Sequence, residues 1–424
     1  MVPRASVLIA LAAAACGGDR RDPPSPAPTG PAMPAPVQAA TTTMHADASA
    51  GGPLVGTCGA ATAPLPGRDA ARDEAAARVD AMLDQANQLL VDGAWADAYT
   101  CADMVADRVP RSVDAHHLRG AALAGAGRDH EAALAFDLAL AIDPEDPETL
   151  RAVADFYVNT IAAKSKDTTA LGLELARRGS ARAAARRRGQ ADLRAELALL
   201  EAQAHNDLGQ ADEAAERAAA AVALDPTLTD ATHEHGVAQF NLGRFAEARA
   251  DLEQVLAARP DEPYAHHMLG LALEQLGQGA AAAAHLARAE ALAPAEFPPA
   301  IAITAGEMQH ELEQVIAGLP PAQQLRARQV PITVADLPDP EDLRASDPPF
   351  PPTILGLFRG LPLGASPEPG ETPPPRAIVL YRLNLARAVR TRAELSEQIA
   401  RTLLHELGHL DGLDEDDLRR RDLE

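Results

Sequence analysis

The chain has 424 residues, enough for two or three domains of ordinary size. It carries 38 Lys and Arg against 61 Asp and Glu, and the formal net charge of −23 excludes a protein that binds nucleic acid through a basic face. After residue 16 no apolar run is long enough for a membrane span, and three cysteines are too few for a disulfide scaffold. Aromatic residues make up only 3% of the chain, which favours closely packed helices rich in Ala and Leu.

Residues 1–16 have the features of a secretory signal, with Arg4 followed by an apolar run too short to cross a bilayer. The small residues before Cys16 resemble a bacterial lipobox, in which the cysteine receives diacylglycerol, although Ala13 stands where that motif usually has Leu. We therefore predict a lipoprotein-type signal with lipidation at Cys16. The protein would then be lipid-anchored in the bacterial cell envelope, at the outer membrane or facing the periplasm. A plain signal peptide cleaved after an alanine is the alternative.

Residues 17–72 are rich in Pro, Ala, Thr and Gly, and we predict a disordered tether there. If Cys16 is lipidated, Cys58 and Cys101 remain as a pair of cysteines in an oxidising compartment. A disulfide between them is possible, but the sequence favours two isolated small residues, because one lies in the tether and the other in a predicted repeat helix.

The next part of the chain is repetitive. Prolines recur with a period of about 34 residues, apart from one wider gap, at Pro110, Pro144, Pro226, Pro260 and Pro294. A glycine and then an alanine precede each proline at constant distances, as Gly93 and Ala98 precede Pro110. This pattern resembles the tetratricopeptide repeat over about 79–294, and the resemblance implies an α-solenoid whose concave face binds a protein partner. We assign residues 73–294 to the repeats.

The wider gap, between Pro144 and Pro226, predicts one irregular repeat at about 145–194, with a longer turn around 164–169. The pairs His116-His117 and His266-His267 occupy the same phase of two repeats. Shared ancestry of the repeat unit therefore explains them better than a metal site does.

Residues 295–424 predict a small α+β domain, so that the whole chain is mainly α. The predicted elements are a helix at 300–319, strands at 330–335, 354–358 and 377–383, and a helix at 394–410. On the last helix stand His405, Glu406 and His409, in the pattern HExxH. The two histidines are four residues apart and share one helix face, where they can bind one metal ion, and Glu406 can polarise a metal-bound water.

The motif extends to HExxHxxGxxE, because Gly412 and Glu415 follow. Gly412 can turn the chain sharply back, which brings the acid three residues later towards the open face of the metal. Asp414 and Asp416 are alternative third ligands. The acids from 414 to 417 also suit the N-terminus of a short last helix, without any metal.

Several separated segments resemble, in order, the bacterial metallopeptidase family described as minimal zincins. They are VPITVADLP (330–338), ILGLFRG (354–360), IVLYRLNL (378–385) and TLLHELGHLDGLDEDDL (402–418). The resemblance covers about 296–424 and implies Zn²⁺ held by His405, His409 and Glu415, with Glu406 as the general base and a peptide as the substrate. The family usually has Asp where this chain has Glu415.

We therefore predict a zinc-dependent metallopeptidase of the cell envelope whose repeats recruit a partner or substrate protein. The strand at 378–381 is expected to pair with an extended peptide by edge addition. The alternative is a non-catalytic scaffold lipoprotein, in which the zincin-like domain is structural or inactive.

Overall fold

The computed structural model describes residues 54–62, 71–185, 190–346, 348–367, 373–421 and 423. The predicted signal peptide, Cys16 and most of the predicted tether lie outside this part of the chain. None of the helices that it contains combines the length and the apolar character needed to cross a membrane.

The first twelve α-helices of the described residues form a solenoid of helix pairs, as the repeat pattern predicted. They are α1 (Ala71–Val91), α2 (Trp95–Arg108), α3 (Val113–Gly125), α4 (Asp129–Ile142), α5 (Pro147–Asp155), α6 (Lys166–Ala185), α7 (Ala191–Asp207), α8 (Ala211–Leu224), α9 (Thr229–Asn241), α10 (Phe245–Ala258), α11 (Pro263–Gln275) and α12 (Gly279–Leu292). In the irregular repeat α5 continues into a π-helix at Phe156–Thr160 before the chain turns into α6.

The repeat signature has a local structural cause at each phase. The periodic glycines have φ between 69° and 75° and end the first helix of a pair; they are Gly93, Gly127, Gly209, Gly243 and Gly277. A side chain strongly disfavours that conformation, so glycine recurs. The periodic alanines are fully buried where the helices touch, at Ala98, Ala132, Ala214, Ala248 and Ala282.

The paired histidines of the repeats have a structural role. His116 Nε2 lies 3.0 Å from the carbonyl oxygen of Pro110, and His266 Nε2 lies 2.9 Å from that of Pro260. Each histidine thus bonds to the proline six residues earlier. The same bond in the same phase agrees with the interpretation that these histidines belong to the repeat unit.

The N-terminal segment 54–62 differs from the predicted tether, because it packs on the first helix pair. A disulfide joins Cys58 to Cys101 of α2, where the sequence had favoured two isolated residues. The backbone amide of Ala60 donates to Gln85 Oε1 at 2.6 Å, and that of Thr57 donates to Asp97 Oδ1 at 2.6 Å. These bonds satisfy backbone groups that a disordered tether leaves to water.

The described residues of the C-terminal domain form six short or medium α-helices and three strands. They are α13 (Ala305–Gly318), α14 (Pro321–Ala327), β1 (Ile332–Ala335), α15 (Pro340–Leu343), β2 (Gly356–Arg359), β3 (Ala377–Tyr381), α16 (Arg382–Ala388), α17 (Arg392–Leu410) and α18 (Glu415–Arg420). The first helix begins five residues later than predicted. Thr304 caps it and forms a reciprocal capping box with Glu307, which fixes its start.

The sheet has the strand order β1-β3-β2, with β1 parallel and β2 antiparallel to β3. The prediction that a peptide adds to the strand at 378–381 is therefore wrong, because both sides of β3 are already paired. Ile378 and Leu380 join the core beside α17. Val379 and Tyr381 join a second core, which continues into the last repeats. The sheet is thus packed on both faces.

The last repeats hold the C-terminal domain. A single apolar core includes Phe240 and Phe245 of the repeats together with Leu343 and Leu357 of the C-terminal domain. The Arg387 guanidinium also makes an ion pair of 2.5 Å with Glu274 of α11. The described repeats and the C-terminal domain consequently share a core.

Candidate metal centre

The motif helix α17 begins at a capping box, in which the Thr391 side chain accepts from the backbone of Glu394 and the Glu394 side chain reaches back. Near its other end His405 and His409 project from one face. Their Nε2 atoms lie 3.1 Å apart, so both imidazoles point to the same place.

Each histidine is oriented through its other ring nitrogen. His405 Nδ1 lies 2.9 Å from the carbonyl oxygen of Leu423, and His409 Nδ1 lies 3.1 Å from that of Leu413. Since a carbonyl oxygen only accepts, the Nδ1 atoms carry the protons in the neutral rings. The Nε2 lone pairs are then free to bind a cation, as in metal sites whose histidines donate to backbone carbonyls.

The chain returns to this face through a tight turn. Gly412 has φ +85°, a conformation that glycine adopts without strain. Leu418 of α18 then packs on Gly408, where an added Cβ would overlap the Cδ2 atom of Leu418. The glycine inside the motif therefore lets α18 approach the motif helix closely.

This turn brings Glu415 to the two histidines. Its Oε1 atom lies 3.3 Å from His409 Nε2 and 3.9 Å from His405 Nε2. The three side chains offer ligand atoms within 4.8 Å of one another, and no other such group of His, Cys, Asp or Glu occurs among the described residues.

The donor set of this cluster fits a zinc ion. Both oxygens of Glu415 are buried and meet no well-aligned hydrogen-bond donor within the described part of the chain. In the metal-free protein the protonated His409 ring, 3.3 Å away, balances the charge of this carboxylate, and a metal ion between Glu415 and the two imidazoles would take the place of that proton. Two nitrogens and one oxygen also leave a fourth tetrahedral position open.

The two alternative acids make other contacts. Asp414 is the N-cap of α18, where its Oδ1 atom accepts from the backbone of Asp417 at 2.8 Å. Asp416 forms an ion pair of 2.7 Å with Arg419. Of the three acids that the sequence left open, the structure thus brings only Glu415 to the histidines.

Glu406 lies apart from the three-residue cluster, against strand β2. It is 5% exposed, and its carboxylate accepts a hydrogen bond from the backbone amide of Phe358. A Cβ added to Gly356 would lie 3.2 Å from Glu406 Oε1. The pKa of Glu406 is raised, because burial, helped by the nearby Glu415 carboxylate, outweighs the lowering by His405, His409 and the Phe358 amide. A raised pKa suits a carboxylate that takes up a proton and releases it again.

The protonation of His409 depends on its acidic neighbours. Burial lowers its pKa, but the Glu415 and Glu406 carboxylates raise it by more, so that the net shift is upward. In the metal-free protein His409 therefore holds a proton to a higher pH than an ordinary histidine. A metal ion at this place must displace that proton.

The sequence does not predict a buried polar group that lies on the other side of the sheet. The Asp342 carboxylate accepts from the Tyr381 hydroxyl at 2.7 Å and from the Arg359 guanidinium at 2.5 Å. The sequence also does not predict that the Leu423 carbonyl orients His405. Neither contact has a local sequence signal, because the partners are 17 to 39 residues apart.

Comparison with protein families gives a match in two parts of the chain. Residues 327–424 match the zincin-like metallopeptidase family, and residues 233–297 match the tetratricopeptide repeat. The chain therefore combines a tetratricopeptide repeat solenoid with a zincin-like metallopeptidase domain. No curated protein sequence matches it.

Several solved structures are similar in part. PilW, titled a widely conserved type IV pilus biogenesis factor, is 15% identical over 52% of this chain and 96% of its own, with a TM-score of 0.44. PilF of Pseudomonas aeruginosa is 15% identical over 54% and 97%, with a TM-score of 0.45. YrrB, titled a TPR protein with an unusual peptide-binding site, is 16% identical over 46% and 93%, with a TM-score of 0.36. These values are low, so the repeat assignment depends on the helix pairs and the family match.

Proposed function

We propose that this protein is a zinc-dependent metallopeptidase of the cell envelope whose repeats recruit a partner or substrate protein. The observation that carries the proposal is the cluster of His405, His409 and Glu415, in which a buried carboxylate faces two oriented imidazoles and lies 3.3 Å from His409 Nε2. Glu406 is separate from that cluster and adjoins an edge strand. A zincin-like domain with this arrangement has the parts that peptide hydrolysis needs.

His405, His409 and Glu415 would hold Zn²⁺, which when bound supplies Lewis acidity and an acidified water. Glu406 is the general base in this proposal. Its carboxylate accepts a proton from the attacking water and passes it to the nitrogen of the leaving amine. The amide of Phe358 keeps the carboxylate in place between the two transfers.

The substrate in this proposal is an extended peptide that pairs with β2. Among the described residues no strand other than β3 pairs with β2, and on the second side of β2 the Phe358 amide donates to Glu406. An edge strand can accept a peptide as an additional strand through backbone hydrogen bonds. Because β2 adjoins Glu406, a peptide added there would lie next to the general base.

The recruitment site in this proposal lies on the earlier repeats. Among the described residues, the first helices of successive pairs contact each other, as α7 contacts α9, whereas the second helices do so less. The first helices are therefore closer together, and they line the inner face of the solenoid. On α11 that face is already covered: Phe297 stacks on His267 at 4.5 Å and meets Tyr264 at 4.9 Å. A partner therefore has more of the inner face available towards the N-terminal repeats.

The disulfide supports an oxidising compartment for the protein, because such bonds persist mainly outside the cytosol. Lipidation of Cys16, which lies outside the described residues, would anchor the chain in the envelope through the segment that precedes the repeats.

A peptide library incubated with the zinc-loaded full chain tests the activity. We expect cleavage by the wild type and a loss of about 100-fold or more for Glu406→Gln, which keeps the shape of the side chain and removes the base. Glu397→Gln, a change at an exposed position of the same helix, is the matched control. If Glu406→Gln cleaves as fast as the wild type, the mechanism is wrong. A zinc-loaded wild type without any cleavage favours the non-catalytic scaffold.

A further inference from the structure

The strand β2 has support from only one neighbouring strand. It contains four residues and pairs with β3 alone within the described part of the chain. Its second edge carries the Phe358 amide that donates to Glu406. A short edge strand of this kind frays easily unless other contacts hold it.

A carboxylate on the far face of the sheet connects the two ends of the β2–β3 ladder. Arg359 lies opposite Ala377 at one end, and Tyr381 lies one residue beyond the pair of Gly356 and Leu380 at the other end. The side chains of Arg359 and Tyr381 nevertheless meet on the same Oδ2 atom of Asp342. This single atom therefore bridges the ladder diagonally.

The Asp342 group is buried and charged. Asp342 is 6% exposed and Tyr381 is fully buried, so few waters can replace either contact. Burial and then the hydrogen bond to Asp342 raise the pKa of the Tyr381 hydroxyl, which stays protonated and can donate. Hydrogen bonds to a buried carboxylate are among the stronger ones in proteins.

Asp342 is itself held against the repeats. Its backbone amide donates to Asp339 Oδ1 at 2.9 Å, which caps α15. The next residue, Leu343, is 2% exposed and belongs to the core that includes the last repeats. Leu343 also faces the turn between α9 and α10, where an added Cβ on Gly243 would lie 3.9 Å from its Cδ1 atom.

From this sequence of contacts we propose that Asp342 is a positioning residue of the metallopeptidase site. It fixes β2 against the base Glu406 from the side of the repeats, through Arg359 and Tyr381. The inference rests on the proposed function for the role of Glu406. The repeats in this proposal are more than a recruitment module, because they form the support from which the edge strand is held.

The test compares Asp342→Asn with Asp336→Asn in the full chain. Asp336 is the control, because it also forms an arginine ion pair, with Arg382 at 2.7 Å, and it follows β1, which pairs with β3 and not with β2. The first readout is backbone amide exchange, which needs neither zinc nor activity. We expect the Phe358 amide to exchange at least tenfold faster in Asp342→Asn, and at the wild-type rate in Asp336→Asn.

The second readout is kinetic, on a fluorogenic peptide that the wild type cleaves. Asp342→Asn should lower kcat by about 10- to 100-fold, the range that a small misplacement of a catalytic group costs. Its zinc affinity, from chelator competition, should stay within twofold of the wild type, since the proposed ligands lie on α17 and α18. A variant that had merely lost structure would lose both its peptide cleavage and its zinc affinity.

Tyr381→Phe is the second variant, to be used if Asp342→Asn does not fold, because it removes only the hydroxyl that donates to Asp342. It should also speed the exchange of the Phe358 amide. Unchanged exchange at Phe358 in a folded variant overturns the positioning role, whether or not any peptide is cleaved. A wild type that binds no zinc overturns the proposed function instead, and the amide exchange still decides the role of Asp342.

Discussion

Replacing Cys58 with Ser removes the covalent link between the N-terminal segment 54–62 and α2. The bond closes a loop of 43 residues. In the chain-entropy treatment, a loop of that length removes about 13 cal/mol/K of entropy from the unfolded chain. At 25 °C this corresponds to about 4 kcal/mol of stability for the first repeats.

The link acts together with noncovalent contacts that the substitution leaves in place. Arg78 donates to the carbonyl oxygens of Ala60 and Ala61 at 3.0 and 3.1 Å, and Gln85 accepts from the Ala60 amide. The folded segment should therefore stay docked, and the loss should appear in the free energy of unfolding. This loss of stability should affect mainly the N-terminal repeats, because solenoid repeats contact chiefly their neighbours.

The assay is urea denaturation of the full chain, followed by circular dichroism with and without reductant. We expect the reductant to lower the midpoint of the wild type to that of Cys58→Ser, and to have no further effect on Cys58→Ser. If Cys58→Ser unfolds at the midpoint of the oxidised wild type, the disulfide does not stabilise the repeats.

Three further predictions concern the metal centre. Glu415→Gln should weaken zinc binding by more than about 100-fold, beyond the range for an outer-shell contact, whereas Asp414→Asn should change it far less; competition with a chelator measures both. Zinc affinity should fall about tenfold for each pH unit below the raised pKa of His409, because that ligand must lose its proton; an affinity independent of pH from 8 to 5 would contradict this. The stability of the metal-free protein should depend on pH in the opposite direction. Because the pKa of His409 is raised in the folded state, its protonation adds to the free energy of unfolding at low pH, and this contribution disappears as the pH rises through the folded pKa. Gly356→Ala should retain zinc but lose cleavage, because the new Cβ would lie 2.7 Å from Thr402 Cγ2 and displace β2; a variant that cleaves normally would show that β2 needs no such close approach.

The features that sequence analysis predicted are those with short-range causes. The repeat glycines recur because the turn after each first helix needs a left-handed residue, and that need is visible at a fixed period. The cluster at 405–415 was predictable for the same reason. The histidines are four residues apart and share a helix face, and Gly412, three residues after His409, turns the chain back.

The features that it missed depend on contacts between distant residues. The strand at 378–381 has no sequence mark that makes it central, because strand order depends on pairing across long loops. Cys58 lies in a segment whose composition indicates disorder, and its partner is 43 residues away. The late start of α13 was readable in principle, since Thr304 and Glu307 have the spacing of a capping box.

The direct test of the metal centre is the zinc content of the purified full chain, measured by inductively coupled plasma mass spectrometry after dialysis. We expect about one zinc per wild-type chain, because two oriented imidazoles and one buried carboxylate complete a three-ligand site. His405→Ala should retain none, whereas His310→Ala, at an exposed histidine outside the cluster, should retain the wild-type content. A wild-type chain without zinc, or His405→Ala with a full complement, would contradict the assignment of the metal centre.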